Sequence, residues 1–296
     1  MYSSNLLFFF LIIMSPIISL SSSDWIISWL GMEIGMFSII PLLLFKSTSN
    51  EPAMKYFLIQ SLASALILIS GIFLITIKYD LFFMLLFVLG MSMKLGFFPG
   101  HFWVISIVEN LSWTSCMMML GPLKIAPFGF LSMFSDNMFL IGFAMASVFV
   151  GSLLGMNQLN VRAMLGASSI SHSGWMIFSM CYGYLWMYMF VYMLLLMFLF
   201  MSLSIMDNLS TSVCLISMSG LPPFVMFLVK MKVIYYIIFN LEYLYLMFLV
   251  VSSIISLFFY LKFFYFFSFK WKINQTFTYY TFVILNIIGV FMMLYL

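Results

Sequence analysis

The stretch that decides the fold is residues 81–108, which read LFFMLLFVLGMSMKLGFFPGHFWVISIV. It is apolar over more than the roughly 20 residues that one membrane-spanning helix needs. The sequence GFFPG at 96–100 should break this helix, because proline lacks an amide donor and clashes with the preceding turn. Just before the break lies Lys94. A charge at the centre of a spanning helix costs roughly 2.5–3.5 kcal/mol on insertion scales, so by default it marks an ion or proton path.

The whole chain has the composition of an integral membrane protein. Of its 296 residues 66% are hydrophobic and 6% are charged, whereas a soluble domain is about 45–50% apolar. Short alternating segments typical of barrel strands are absent, so the predicted fold is all-α. The net charge of +3 is scattered, which excludes a nucleic-acid-binding surface.

Motifs for redox cofactors or metals are missing from the sequence. The three cysteines, Cys116, Cys181 and Cys214, are far apart and lack the paired spacing of a metal or iron–sulfur site. No Gly-rich phosphate loop, nucleotide fingerprint or haem motif occurs. We therefore expect this chain to bind no cofactor and no metal.

Charges, prolines and small polar clusters divide the chain into about eleven spanning helices, which form one polytopic membrane domain over residues 1–296. Their approximate bounds are 4–20, 24–45, 55–77, 81–108, 111–133, 138–157, 161–182, 184–206, 209–239, 241–266 and 276–296.

The ninth segment is also interrupted, by GLPP at 220–223, with Lys230 shortly after the break. The broken fourth and ninth helices are five apart and therefore cross in opposite directions. This pattern predicts two inverted five-helix repeats, about 1–133 and 138–266, followed by a final helix at about 276–296. The alternative is that the prolines are ordinary features of membrane helices.

Basic residues predict the orientation. The face that holds the loop between the second and third helices carries most of the basic loop residues, whereas the other face carries only Lys78. The basic residues of the first face are Lys46, Lys55, Arg162, Lys270 and Lys272. By the positive-inside rule the first face is the cytoplasm-like one, which in a mitochondrion is the matrix. The N-terminus then lies in the matrix and the C-terminus on the opposite side.

Glu33 and Lys94 form the first candidate site. Glu33 lies about ten residues into the second helix, where a lone carboxylate would be neutralised by desolvation unless a cation stands nearby. Lys94 is the obvious partner, and a buried lysine can exchange a proton, which an arginine cannot usefully do. The pair is interpreted as a switch, with a static salt bridge as the alternative.

Two further lysines lie inside spanning segments. Lys124, near the middle of the fifth helix, is too far from either end to snorkel and has no acid nearby in sequence. Of Lys230 and Lys232, which do not share a helix face, the one nearer the proline break is expected to face inward.

His172, in the sequence SSISHSG at 168–174, lies mid-helix among hydroxyls that can hold water. A histidine titrates near neutral pH, so His172 is a possible proton relay, with a packing role as the equal alternative. His101 follows the break and is expected mainly to shape it. Acidic residues at segment ends, including Asp207 and Glu242, are interpreted as caps or solvated charges.

At these positions the chain resembles a known family, the mitochondrially encoded subunit 2 of NADH dehydrogenase, an antiporter-like membrane subunit of respiratory complex I. The resemblance covers nearly the full length and follows the family order. It is carried by WLGME at 29–33, KYFLIQ at 55–60, KLG at 94–96, HFW at 101–103, LSW at 111–113, KIAP at 124–127, SSI at 168–170 with His172, and SGLPPF at 219–224. The chain departs from the family at Val229, where a proline usually precedes the last lysine, and at Gly35, Phe97, Phe98, Gly100 and Ala163.

This resemblance implies a proton-translocating subunit of the mitochondrial inner membrane. Glu33 and Lys94 would form its proton-transfer pair, Lys124 its central relay and Lys230 the residue toward the exit. NADH, FMN, iron–sulfur clusters and ubiquinone would be bound by other subunits, so the chain itself would do no redox chemistry. The expected partners are other membrane subunits of complex I and lipids. The alternatives are a free-standing cation/proton antiporter, which the scarcity of intramembrane carboxylates disfavours, and a purely structural subunit.

Overall fold

The computed structural model describes residues 3–44, 50–77, 81–134, 138–222 and 224–269, together with 280 and 284, and these residues contain helices and turns but no strand. The all-α prediction is therefore confirmed for this part of the chain. The helices are α1 Ser3–Ser21, α2 Trp25–Leu44, α3 Glu51–Ile77, α4 Leu81–Leu95, α5 Phe102–Val108, α6 Trp113–Leu120, α7 Ile125–Leu131, α8 Met138–Met156, α9 Val161–Cys181, α10 Leu185–Ile205, α11 Asn208–Ser219, α12 Val225–Phe239 and α13 Tyr243–Ser268.

Six helical stretches of the described chain are long and apolar enough to cross a membrane. They are Trp25–Leu44, Glu51–Thr76, Trp113–Phe134, Phe139–Met156, Leu185–Ile205 and Tyr243–Ser268. In hydrocarbon a helix satisfies its backbone hydrogen bonds internally, so apolar stretches of this length fold as helices. The chain is therefore a multi-pass membrane protein.

The predicted breaks in the fourth and ninth segments are both present. The fourth segment consists of α4 and α5, with Gly96 between them at φ +75°. The ninth consists of α11 and α12, with Gly220 between them at φ +82°. Glycine adopts these left-handed angles without the steric penalty of a Cβ, which explains its position at each break.

The fifth segment differs from its prediction. Residues 111–133 were expected to form one spanning helix, and the span is present as Trp113–Phe134. Within it α6 and α7 are separated by a 3-10 turn at Pro122–Lys124, because Pro122 cannot donate a backbone hydrogen bond. This interruption was not predicted, and it places Lys124 at the turn.

Helix α9 is the centre of the described fold. It is buried continuously from Ala163 to Met180, and it packs against α5, α6, α8, α10 and α12. Its contact with α8 is close, because a Cβ on Gly151 would lie 2.5 Å from the amide nitrogen of Ser171. Small residues permit such close approach between membrane helices. α9 therefore has fixed neighbours on all sides.

Several predictions fall on residues outside the described ranges. These are the last helix at 276–296, Pro223 of the second break, and four basic loop residues used for orientation, Lys46, Lys78, Lys270 and Lys272. The repeat boundaries at about 1–133 and 138–266 stay predictions.

Candidate functional site

Glu33 of α2 and Lys94 of α4 are in direct contact. The Lys94 Nζ donates a hydrogen bond to the Glu33 Oε1 at 2.8 Å, and the two side chains are 5% and 9% exposed. Lys94 lies in the last turn of α4, where the partial negative charge of the helix end favours a cation. The Gln60 side chain fixes that end by donating to the Lys94 carbonyl oxygen at 3.3 Å. The predicted partners thus meet, and their functional role stays a prediction.

The break after α4 is held in place by an aromatic side chain. The Trp103 Nε1 donates a hydrogen bond to the Met93 carbonyl oxygen at 2.8 Å. Its ring contacts that of Tyr56 edge-on, with 5.8 Å between the ring centroids. Because both aromatic residues are buried, they exclude bulk water from the neighbourhood of Lys94.

A small cavity connects the first lysine to the second. It has a volume of about 30 Å³, and its lining includes Lys94, Lys124, Gln60 and Tyr56. A cavity needs about 10–15 Å³ of such volume to hold one water molecule, which also needs polar partners. The cavity is therefore large and polar enough for one or two water molecules in a space that both lysine residues line.

Lys124 is buried and reaches across to α9. Its Nζ donates a hydrogen bond to the Ser169 carbonyl oxygen at 3.1 Å. Among the described residues the ion pairs are Glu33–Lys94 and the surface pair Glu51–Lys55, so Lys124 has no carboxylate partner there. An ammonium group held by a backbone carbonyl keeps its other two donors for water in the adjoining cavity.

His172 is enclosed by two phenols. Its Nδ1 lies 2.9 Å from the Tyr188 hydroxyl and its Nε2 lies 3.2 Å from the Tyr260 hydroxyl. The neighbouring serines in the SSISHSG sequence donate their hydroxyls to carbonyl oxygens one turn earlier in α9. The hydrogen-bond partners of His172 are therefore tyrosines of α10 and α13 rather than the neighbouring serines of α9.

Lys230, rather than Lys232, faces the interior. The Lys230 Nζ donates to the Ser219 carbonyl oxygen at 3.0 Å and lies 5.6 Å from the centroid of the Trp175 ring. Lys232 is half-buried, and its Nζ lies 5.7 Å from the centroid of the Tyr184 ring. Ser219 is the last residue of α11, so Lys230, like Lys94, lies at the carboxyl end of a broken helix.

His101 contacts the first break itself. Its Nδ1 lies 3.2 Å from the Pro99 carbonyl oxygen, and its ring lies between those of Phe98 and Phe102, at 5.8 and 4.1 Å between centroids. This geometry agrees with the expected shaping role.

Asp207 contradicts its interpretation as a cap or solvated charge. It is 1% exposed, it makes no side-chain capping bond to α11, and neither carboxylate oxygen has a hydrogen-bond partner among the described residues. The sequence does not indicate that Asp207 is buried, because an aspartate immediately before a helix is usually a solvated N-cap residue.

The sequence is similar to those of known membrane proteins. The family model described as "NADH:quinone oxidoreductase/Mrp antiporter, TM" matches residues 22–210. NADH-ubiquinone oxidoreductase chain 2 of Albinaria caerulea is 35% identical over 262 residues, covering 86% of this chain and 85% of that protein. The chain belongs to the NADH-ubiquinone oxidoreductase chain 2 family. Another chain 2, from Lumbricus terrestris, is 33% identical over 278 residues, covering 85% of this chain and 83% of that protein.

Solved structures share the fold of this chain 2 family member at low sequence identity. A chain of respiratory complex I from Thermus thermophilus aligns with a TM-score of 0.80 at 22% identity, covering 87% of this chain and 69% of that one. A chain of the Mrp complex from Dietzia aligns with a TM-score of 0.77 at 16% identity, covering 86% of this chain and 59% of that one. The described helices therefore have the architecture of antiporter-like subunits.

Proposed function

We propose that this chain is a proton-translocating membrane subunit of respiratory complex I. Electron transfer from NADH to ubiquinone occurs in other subunits of the complex, which bind the FMN and the iron–sulfur clusters. This chain contributes no redox chemistry and moves protons from the matrix to the intermembrane space. It is thus part of a proton-pumping NADH:ubiquinone reductase.

The observation that carries the proposal is a series of buried charges inside one membrane domain. Glu33 contacts Lys94, Lys94 and Lys124 line one cavity, and Lys124 bonds to α9 at Ser169. Charged groups inside a membrane are expensive and are found where ions or protons pass. Such a series supports proton transfer better than binding of a bulky substrate, because the space between the lysines is of water size.

Helix α9 carries the second half of the path. Lys124 contacts α9 at Ser169, and Lys230 contacts it at Trp175. These two positions are six residues apart, which corresponds to about 9 Å along an α-helix. His172 lies midway between them on α9. A proton therefore passes from Lys124 to His172 and Lys230 in steps that side chains and single water molecules can bridge.

The Glu33–Lys94 pair is the switch. While the ion pair is closed, the carboxylate holds the ammonium proton of Lys94 at the 2.8 Å contact. Separating the two groups removes the attraction that stabilises the charged lysine, and the proton then moves through the cavity toward Lys124. Electrostatic or conformational change in the neighbouring subunits drives this separation.

The two broken helices support the inverted-repeat architecture. Lys94 lies in the last turn of α4, and Lys230 is bonded to the last residue of α11. Each lysine thus faces the partial negative charge at the carboxyl end of a half-helix. Two lysines in this same relation to two breaks are expected of a duplicated unit, with residues 1–133 and 138–266 as its copies and 276–296 as an added helix.

The chain is located in the mitochondrial inner membrane, with its N-terminus in the matrix and its C-terminus toward the intermembrane space. Lys55 and Arg162 lie near the starts of α3 and α9, which begin at the same face when each predicted segment crosses the membrane once, and this supports the proposed orientation. The exposed apolar side chains of the outer helices contact lipid and other membrane subunits of the complex.

Replacing Lys124 by methionine tests the relay. Methionine approximates the shape of the side chain without its proton, so we expect coupled proton pumping to fall roughly tenfold or more, as for the loss of other general acid–base groups. The measurement is proton uptake and quinone reduction by the isolated complex in liposomes. The matched control is Lys55→Met, which removes an exposed lysine of a surface ion pair and should leave both rates unchanged. Normal pumping with normal quinone reduction in Lys124→Met would overturn the proposal.

One observation favours an alternative function, a free-standing cation/proton antiporter. Asp207 is a buried carboxylate without a partner among the described residues, and a carboxylate can bind Na⁺. Native electrophoresis of gently solubilised membranes, with in-gel NADH oxidation and mass spectrometry, separates the two. Migration of this chain in a large NADH-oxidising band favours the complex I subunit, whereas a small inactive species with Na⁺-driven proton flux favours the antiporter.

A further inference from the structure

Two tyrosines lie on one face of α10, and a third immediately precedes the helix. Tyr188 and Tyr192 are four residues apart on α10, which places them one above another, and Tyr184 is the N-cap residue of the helix. Tyr188 and Tyr192 are buried, whereas Tyr184, at the start of the helix, is half-buried. The row therefore runs from the interior toward the face where α10 begins.

The inner part of this row contacts the proposed relay. The Tyr188 hydroxyl lies 2.9 Å from His172 Nδ1. The Tyr192 hydroxyl, one turn further into the membrane, has no hydrogen-bond partner among the described residues. The hydrogen bond between His172 and α10 is therefore made by Tyr188, whereas the Tyr192 ring packs against the imidazole with 5.2 Å between centroids.

The outer part of the row meets α12. The hydroxyls of Tyr184 and Tyr236 form a short hydrogen bond, and both residues are half-buried. Tyr184 lies four residues before Tyr188, and we place one bridging water molecule between their two hydroxyls.

Beyond Tyr236 the next contact is an aromatic stack, which leads to a second hydrogen bond. The Tyr182 ring stacks on that of Tyr236 with 6.0 Å between centroids, and its hydroxyl donates to Glu242 Oε2 at 2.7 Å. Burial and the neighbouring Glu242 carboxylate raise the pKa of Tyr182 above its usual range, so the phenol keeps its proton and remains a donor. Glu242 follows α12 and is half-buried at the membrane edge.

We propose that His172, Tyr188, Tyr184 and Tyr236 form the proton outlet of this chain, with Glu242 near its outer mouth. This inference rests on the proposed function and adds the residues of its exit. Each phenol accepts a proton on an oxygen lone pair as its own O–H proton leaves to the next acceptor. The hydroxyl then rotates back. The only bonds made or broken are the N–H bond of His172 and the O–H bonds of the phenols and the bridging water molecule.

Two charges lie along the outlet. Glu242, on the outer side, attracts protons toward the mouth. The Lys232 ammonium, 5.7 Å from the Tyr184 ring centroid, raises the energy of an excess proton at that phenol, so a proton that reaches the phenol does not remain there. A route made of hydroxyls also excludes other cations, because a metal ion cannot move by hydroxyl rotation.

The test uses tyrosine-to-phenylalanine variants of the intact complex in liposomes, which keep the ring and remove only the hydroxyl. For Tyr188→Phe and Tyr184→Phe we expect proton release to slow about tenfold, as for other lost general acid–base groups. The solvent deuterium isotope effect on release should change, and the amount of assembled complex should stay normal. Tyr192→Phe is the matched control, because it makes the same change on the same face of α10 where the hydroxyl has no partner. Its release rate should be normal.

The outcomes separate the outlet from the proposed function. Normal release in Tyr188→Phe and Tyr184→Phe together with impaired Lys124→Met overturns the outlet alone. Normal release in all of them overturns the proposed function as well. Equal losses in Tyr192→Phe and Tyr188→Phe would assign the effect to packing and also overturn the outlet. Should Tyr188→Phe fail to assemble, Tyr236→Phe, at the half-buried outer end, gives the same decision.

Discussion

A methyl group added between α8 and α9 should disturb the relay without touching any charged residue. In Gly151→Ala the new Cβ would lie 2.5 Å from the Ser171 amide nitrogen and 3.1 Å from the Ala167 carbonyl oxygen. Both are backbone atoms of α9, so no side-chain rotation can relieve the overlap. The two helices must separate, and α9 carries Ser169 and His172 with it.

The size of the effect follows from these distances. Ordinary contact begins at 3.4 Å, so the local separation must increase by about 0.9 Å. Overpacking of this kind costs about 1–3 kcal/mol, and the better helix propensity of alanine returns about 1 kcal/mol. A comparable displacement would move the Ser169 carbonyl oxygen away from the Lys124 Nζ, which lies 3.1 Å from it. A good hydrogen bond is about 3.2 Å long at most, so this hydrogen bond would be lost.

We therefore expect Gly151→Ala to lower the thermal midpoint of the isolated complex slightly. Proton pumping should fall roughly tenfold or more, because a misplacement of about 1 Å can reduce a rate by about 10²-fold. The control is Gly142→Ala on the same helix, where the new Cβ has no neighbour within 4 Å and pumping should be unchanged. The reasoning is refuted if Gly151→Ala pumps normally and is as stable as Gly142→Ala.

Two further predictions concern the charged residues and the breaks. Glu33→Gln leaves the buried Lys94 ammonium without its carboxylate, which should destabilise the complex by about 3–5 kcal/mol. Adding Lys94→Met should recover most of the thermal stability but not the proton pumping. A double variant less stable than Glu33→Gln would contradict this prediction. Gly220→Ala places an alanine at a positive φ of +82°, at a cost of about 1–2 kcal/mol. Its Cβ would also lie 3.1 Å from the Lys230 side chain, so proton transfer should slow, and pumping at the unaltered rate would refute the role of that contact.

The buried charges were predictable because each one lies inside an apolar window. Lys94, Lys124 and Lys230 are surrounded in sequence by residues that must enter the membrane, so their burial follows from composition. The partner of Glu33 was also predictable, since an isolated carboxylate in hydrocarbon needs a cation. That Lys230 rather than Lys232 faces inward needed the structure, because the two occupy different faces of one helix.

Other features were missed for identifiable reasons. The 3-10 turn at Pro122–Lys124 interrupts the fifth segment, although the same proline argument that located two other breaks applies to Pro122. Asp207 precedes α11 like any N-cap, and only the packing of neighbouring helices buries it. The serines around His172 suggested a hydroxyl chain along α9, whereas their hydroxyls donate to carbonyl oxygens of their own helix.

The sequence by itself determined that this chain crosses a membrane repeatedly, that two of its helices break, and which charges the membrane must enclose. These properties depend on short windows, because the free energy of insertion and the geometry of proline and glycine are local. Only the tertiary structure decided which groups touch. The two tyrosines whose hydroxyls contact His172 are 16 and 88 residues away in sequence. The cavity that Lys94 and Lys124 both line exists because of how their helices pack. Such contacts depend on which helix faces meet, and helices that are apolar all round carry no sequence pattern that specifies this.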